Sequence, residues 1–84
     1  MFTVRWVRTA LSELASLWVQ SESAERAAIT AATREIDRQL QHNPDLCGES
    51  RSKGQRILFV GPLGITFRVN RQRSEVRVLH VWLI

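Results

Sequence analysis

The hydrophobic positions at the start of the chain follow the period of a strand and then the period of a helix. Phe2, Val4 and Trp6 alternate with polar residues, which predicts a half-buried strand. A helix is predicted to follow as far as Gln20, with Thr9 as its expected cap. This helix has one apolar face, and its predicted inward positions are Leu11, Leu14, Ala15 and Trp18.

A second helix is predicted to follow at once and to end before Pro44, because proline cannot continue a helix. Ser21 is its expected N-cap. Glu22 and Glu25 then lie in the first turn, where carboxylates meet the positive end of the helix dipole. The buried stripe of this helix is predicted to consist of Ile29, Ala32, Ile36 and Leu40.

The second half of the chain alternates with the period of strands. A polar loop over residues 43–54 precedes an apolar run at 57–60, a turn at 61–64 and an alternating segment at 65–69, which together predict a hairpin. A second polar turn, residues 70–74, follows. The expected buried positions of the alternating segment are Ile65, Phe67 and Val69.

The last predicted strand, residues 75–84, is long and rich in β-branched and aromatic residues. It is apolar on both faces, as is typical of a central strand. Residues 1–84 are therefore predicted to form one α+β domain with the element order β-α-α-β-β-β. In this domain two antiparallel helices pack on one face of a small antiparallel sheet, which the first strand also joins.

The sheet face away from the helices is expected to stay open, because two helices cover only one face of a small sheet. Alternation along the last strand predicts Val78, His80 and Trp82 on this open face, and Arg68 of the preceding strand beside them. An apolar patch with charged neighbours is a candidate protein interface, so Val78 and Trp82 are the predicted partner-binding residues.

Charge is divided unevenly along the chain. Seven basic and two acidic residues from Gly48 to Ile84 give +5, whereas the first half is −1, which together make the net +4. This excess favours an anionic partner, either nucleic acid or an acidic polypeptide. Arg5 and Arg8 are interpreted as protection of an edge strand, and Arg71 as a solvated turn residue. The predicted residues for binding nucleic acid or another target are Arg51, Lys53, Arg56, Arg68 and Arg77.

Cysteine content and hydropathy narrow the function classes. The single cysteine, Cys47, has no partner for an internal disulfide, and no Cys/His cluster has the spacing of a metal site. We therefore expect no metal and no other cofactor. No apolar run has the length of a membrane span, so we expect a cytoplasmic protein without membrane contact.

Positions along nearly the whole chain match the pattern of one known family. They are Trp6, Ala10, Leu14, Leu17 and Trp18; residues 29–32 and 36–40; Asn43, Pro44 and Gly48; and, in the sheet, residues 56–58, 61–63, 67–69 and 76–81. The chain thereby resembles the RelE/ParE superfamily, the plasmid-stabilisation toxins of type II toxin–antitoxin modules. The resemblance implies a toxin that is neutralised by a cognate antitoxin in a hetero-oligomer and that acts on translation or on DNA gyrase.

The resemblance also bears on chemistry. RelE-like toxins cut messenger RNA on the ribosome with basic residues and a C-terminal tyrosine, and their key arginine after the first hairpin turn corresponds here to Gly64. The chain contains no tyrosine. The remaining catalytic candidates are Arg56, Arg68 and His80. His80 also fits the alternative interpretation of a partly buried strand residue whose hydrogen bonding is satisfied by a neighbour. ParE-like toxins, which this chain resembles at residues 79–81, bind gyrase without catalysis. The alternative is a catalytically degenerate binding or regulatory protein.

Overall fold

The computed structural model describes all 84 residues and confirms the predicted element order. It adds one short strand inside the loop between the halves of the chain, which the polar composition of that loop concealed. The elements are β1 (Thr3–Trp6), α1 (Arg8–Gln20), α2 (Ser23–His42), β2 (Glu49–Ser50), β3 (Arg56–Val60), β4 (Leu63–Asn70) and β5 (Glu75–Leu83), with single 3-10 turns at Pro44–Leu46 and Ser52–Gly54.

The five strands form one sheet in the order β1-β5-β4-β3-β2. Strands β2 to β5 make an antiparallel meander, and β1 joins its far side by parallel pairing with β5. β5 therefore lies between two strands, as its apolar composition predicts. The predicted four-residue turn before β4 is shorter, because β4 begins at Leu63 and only Gly61 and Pro62 connect it to β3.

The core lies between α2 and the sheet. The predicted stripe of α2 is confirmed, since Ile29, Ala32, Ile36 and Leu40 are all buried. These side chains meet a sheet face that consists of Leu58, Leu63, Ile65, Phe67, Val76, Val78 and Val81. Trp6 fastens β1 to α2 at the margin of this core, because its Nε1 donates to Asp37 Oδ1 at 2.9 Å. Neither helix is long and apolar enough to cross a membrane.

The helix ends differ from the predicted caps. α1 begins one residue before Thr9, with Val7 at the N-cap position. Ser21 belongs to the end of α1, where its hydroxyl donates to the Leu17 carbonyl at 2.7 Å. The N-cap of α2 is Glu22, whose backbone N–H donates to the Glu25 carboxylate at 3.3 Å. A carboxylate therefore does stabilise the first turn of α2, as predicted. It does so by accepting a hydrogen bond from the backbone N–H of the preceding N-cap residue.

The apolar face of α1 is less buried than its periodicity predicts. Ala10 is its only buried residue, Leu14 is half-buried, and Trp18 is 43% exposed. Trp18 packs against Arg26 instead of the core, with the guanidinium carbon 4.3 Å from the ring centroid. That guanidinium also donates to the last carbonyls of α1, so one arginine caps the helix and covers its tryptophan.

A bulge in β5 reverses the alternation predicted for that strand. Phe67 of β4 pairs with Val78 and Thr66 pairs with His80, so Leu79 has no partner. Val78 therefore faces the helices and is fully buried, and its predicted place beside Trp82 is wrong. His80 and Trp82 do share the opposite face of the sheet, at the edge of β5 that lies beside α1. Val69, predicted to be buried, is half-buried.

Beyond the bulge, the indole of Trp82 lies against Gly64. The two residues pair directly, and a Cβ at position 64 would lie only 2.7 Å from the indole. Phe59, the partner of Gly64 from β3, meets Trp82 edge-on with ring centroids 6.4 Å apart. The missing side chain thus makes room for an aromatic pair, defined here as Phe59 and Trp82.

Replacing Ile36 or Leu40 by alanine should lower the free energy of unfolding by about 2–4 kcal/mol, because each leaves a cavity in a small core. Urea denaturation followed by circular dichroism measures this loss. Thr30→Ala, at an exposed position of the same helix, is the control and should change stability by less than about 0.5 kcal/mol. Equal effects at the three positions would contradict this description of the core.

Gly64→Ala should destabilise the protein by about 1–3 kcal/mol, because the new methyl group overlaps the indole. In a Trp82→Ala background the same substitution should be neutral, or stabilising by up to about 1 kcal/mol, since glycine is unfavourable inside a strand. Urea unfolding of the four variants of this cycle measures the coupling. An unchanged cost in the Trp82→Ala background would contradict the contact.

Candidate target-binding face

The sheet face opposite to the helices, called the open face, presents its side chains in rows that run across the strands. Residues paired directly in neighbouring strands lie on the same side of the sheet. From one end to the other the rows are Phe59, Gly64 and Trp82; Ile57, Thr66 and His80; Arg68, Arg77 and Arg5; and Asn70, Glu75 and Thr3. The open face therefore changes from aromatic to basic along its length.

The third row, called the arginine row, places three like charges side by side. Arg77 pairs with Arg68 on one side and with Arg5 on the other, and all three are exposed. Like charges directly across a sheet repel one another. The one acid in reach is Glu75, whose Oε1 lies 3.3 Å from Arg77 Nε. An anion bound to this row would relieve the repulsion.

A concave pocket of about 640 Å³ adjoins the arginine row at the β4–β5 turn. Arg68 and Arg77 line it together with Arg71 and Arg73 of the turn. Arg71, predicted to be solvated, forms an ion pair with Asp45. The pocket therefore extends the positive surface of the open face toward the turn.

The other predicted target-binding residues lie elsewhere. Arg51 pairs with Glu49 at 2.9 Å beside the edge strand β2, and Lys53 is exposed in the following 3-10 turn. Arg56 points to the helix side and donates to the carbonyls of Cys47 at 2.9 Å and Gly48 at 3.2 Å. It thus fastens the loop before β2 to β3. Of the five predicted residues, only Arg68 and Arg77 come together.

The three catalytic candidates do not form one site. Arg56 lies on the opposite face of the sheet from Arg68 and His80. His80 Nδ1 lies 3.3 Å from Glu13 Oε2, and the other oxygen of Glu13 accepts the Val81 N–H at 3.1 Å. His80 therefore has a polar partner for its ring, as expected if it is a structural histidine of the strand and not a catalytic residue.

Cys47 has the environment of a structural thiol. Burial raises its pKa, while the charges of Arg56 and Arg38 act in the opposite direction. Its Sγ donates to the Asn43 carbonyl at 3.2 Å. At neutral pH the thiol is therefore protonated, which makes it a poor nucleophile. The chain has no group of three or more His, Cys, Asp or Glu side chains placed to hold a metal ion.

Sequence reasoning missed Arg5 as a member of the arginine row. Its role depends on the parallel register of β1 with β5, which pairs Arg5 with Arg77. No local pattern encodes that register. A weak signal was present, because Arg5 and Arg77 occupy polar positions between apolar residues in two strands. Alternation alone assigns such residues to a face but not to a row.

A second surface lies between the helices. This helix groove has a volume of about 490 Å³ and is mostly apolar. Three of its large hydrophobic residues are exposed to solvent, namely Leu11 at 53%, Trp18 at 43% and Val19 at 68%. It is lined by Leu11, Leu14, Ala15, Trp18 and Val19 of α1 and by Ile29, Thr30, Thr33 and Arg34 of α2. The stripe predicted to enter the core thus lines an open groove.

No protein-family model and no curated protein matches the sequence. Solved structures do match the fold. The RelBE2 toxin–antitoxin complex of Mycobacterium tuberculosis contains a chain that aligns with a TM-score of 0.78 and 20% identity, over 99% of this chain and 91% of that one. The chromosomal ParDE system of P. aeruginosa gives 0.67 and 22%, over 100% and 97%.

The intact RelBE complex of E. coli aligns with a TM-score of 0.64 and 15% identity, over 100% of this chain and 98% of that one. These identities are low, whereas the alignments span almost the full length of each chain. The likeness includes the helix pair and the sheet. The fold expected from the resemblance is therefore confirmed: the chain has the fold of the RelE/ParE toxin–antitoxin proteins.

Proposed function

We propose that this protein is the toxin of a type II toxin–antitoxin module, neutralised by a cognate antitoxin in a hetero-oligomer. The observation that carries the proposal is the fold, which matches chains of three toxin–antitoxin systems over nearly the whole length of this chain. A domain of 84 residues has a thin stability margin, so a tightly bound partner would stabilise it. We place the protein in the cytoplasm, where its proposed targets are found.

The helix groove is the proposed antitoxin surface. It is apolar and open, and an amphipathic helix docks in such a groove through residues spaced one helical turn apart. Arg34 lines the groove and Arg26 covers Trp18 beside it. The matching segment of the antitoxin should therefore have an apolar stripe flanked by acidic residues.

The open face is the proposed surface for the cellular target, in translation or on DNA gyrase. The resemblance aligns Gly64 with the key arginine of RelE-like toxins, and here the indole of Trp82 covers that position. Arg56 fastens a loop, and His80 contacts Glu13. This arrangement favours a toxin that acts by binding over one that cleaves messenger RNA. The second candidate is a catalytically degenerate member of the fold without toxicity. The glycine at position 64, in place of the arginine, favours this candidate as well.

The product of a short reading frame adjacent to this gene should co-purify with the chain. Trp18→Ala should weaken that complex by about 2 kcal/mol or more, because exposed tryptophans in apolar grooves are typical anchors of interfaces. Isothermal titration calorimetry measures the change. Phe59→Ala is the matched control, since it removes an exposed aromatic residue from the open face. A complex weakened by the control and not by Trp18→Ala would place the antitoxin on the other face.

Induction in cells should stop growth without cleaving messenger RNA. Each missing donor at a phosphoryl-transfer centre costs roughly 100-fold in rate, and both the arginine at position 64 and the tyrosine are absent. Mapping of RNA ends at ribosomal A sites, with a RelE-like toxin as the positive control, measures cleavage. Cleavage that disappears in Arg68→Ala or His80→Ala would contradict the expectation. Absence of both arrest and cleavage would support the degenerate candidate.

A further inference from the structure

We propose that two copies of this chain form a dimer through α1, with the two helices crossing at Ala15 about a two-fold axis. This dimer does not depend on the protein being a toxin. It bears on the proposed function in one respect, because the residues of α1 that it covers also line the helix groove, where the antitoxin is proposed to bind.

The outward face of α1 is apolar. Leu11, Trp18 and Val19 are exposed on it, and so is Ala15, which lies between them. A helix on the surface of a protein normally presents polar residues on the side away from the core. Several large apolar side chains exposed on one short helix indicate a surface that another protein covers.

The charged residues along this face lie at its two ends and have opposite signs. Arg8 is the first residue of α1, and Glu22 comes just after the helix ends. Both are exposed, and neither forms an ion pair within the chain. The only other charged residue of α1 is Glu13, which points to β5 and accepts the Val81 N–H. Between its two ends, the outward face of α1 therefore carries no charge.

A two-fold axis at Ala15 makes this pattern complementary to itself. In two antiparallel helices related by the axis, Leu11 of one copy lies opposite Val19 of the other, and Arg8 lies opposite Glu22. The symmetry forms each of these contacts twice. The small side chain of Ala15 lies at the crossing, where it allows the two helices to approach closely. Parallel helices would instead bring Arg8 against Arg8, so the charges favour the antiparallel dimer.

The dimer should be weak and reversible. One helix from each copy contributes the contact, which places the interface at the small end of the range for specific complexes. The second copy would cover part of the helix groove, so dimerisation and binding of the cognate antitoxin should exclude each other. Dimerisation would shield the apolar face of α1 in the free protein until the antitoxin displaces the second copy.

Sedimentation velocity of the full-length chain, over a range of micromolar concentrations, tests the dimer. A two-fold contact closes, so the mass should rise from that of the 9.7 kDa chain to twice this value and no further. Ala15→Arg should raise the dissociation constant at least about tenfold, because the longer side chain holds the crossing helices apart. Ala28→Arg is the matched control, since it changes an exposed alanine of α2 outside the groove. It should leave the dissociation constant unchanged.

Exchange of the two charges tests the pairing itself. Arg8→Glu and Glu22→Arg should each raise the dissociation constant at least about fivefold, because each places like charges opposite each other in both symmetric contacts. The double variant should return it to within about twofold of the wild-type value. Lys53→Glu reverses an exposed charge away from α1 and should have no effect. Circular dichroism confirms that each variant is folded. Rescue cannot come from the cap of α2, since Arg8→Glu does not restore that cap.

Three results would overturn the proposal. They are a monomer at every concentration, growth beyond the mass of a dimer, and a double variant that dimerises no better than either single variant. A monomer that still binds the product of the adjacent reading frame would refute the dimer and leave the toxin proposal standing. A dimer that obeys the charge exchange and ignores that product would support the dimer and count against the toxin proposal.

Discussion

The pairing of β5 with its two neighbours determines what each surface of this protein presents. Parallel pairing with β1 aligns Arg5 with Arg77, and antiparallel pairing with β4 aligns Arg77 with Arg68. The bulge at Leu79 then keeps both Val78 and Val81 in the core while turning Trp82 outward. Without the extra residue, one end of β5 would have the opposite orientation, so the bulge allows one strand to complete the core and the open face together.

Local patterns were sufficient for every helix and strand except β2, and for most of the core. The 3.6-residue period of α2 predicts Ile29, Ala32, Ile36 and Leu40, and all four are buried because this helix lies directly over the sheet. The same rule failed at Trp18. Periodicity shows that a helix has an apolar face, whereas the position of the helix decides how much of that face is covered. α1 leaves part of its apolar face in the helix groove.

The candidate sites were less accessible to sequence reasoning. Alternation placed Arg68 correctly, but it placed Val78 on the wrong face because a bulge has no sequence signature in a run of apolar residues. The arginine row depends on contacts between residues about seventy positions apart, as in Arg5 and Arg77. The identity of Gly64 was visible in the sequence. The physical reason for a glycine there, which is that the indole of Trp82 lies against it, was not visible in the sequence.

The contact between Glu13 and Val81 protects the sheet from further growth. β1 pairs only with residues 75–78, so the outer edge of β5 beyond that point has no neighbouring strand. An unpaired strand edge is a template for another copy of the chain and hence for aggregation. Glu13 occupies the Val81 N–H there, and a carboxylate also repels an incoming backbone carbonyl. Glu13 of α1 thus helps to prevent the exposed edge of β5 from pairing with a strand of another copy of the chain.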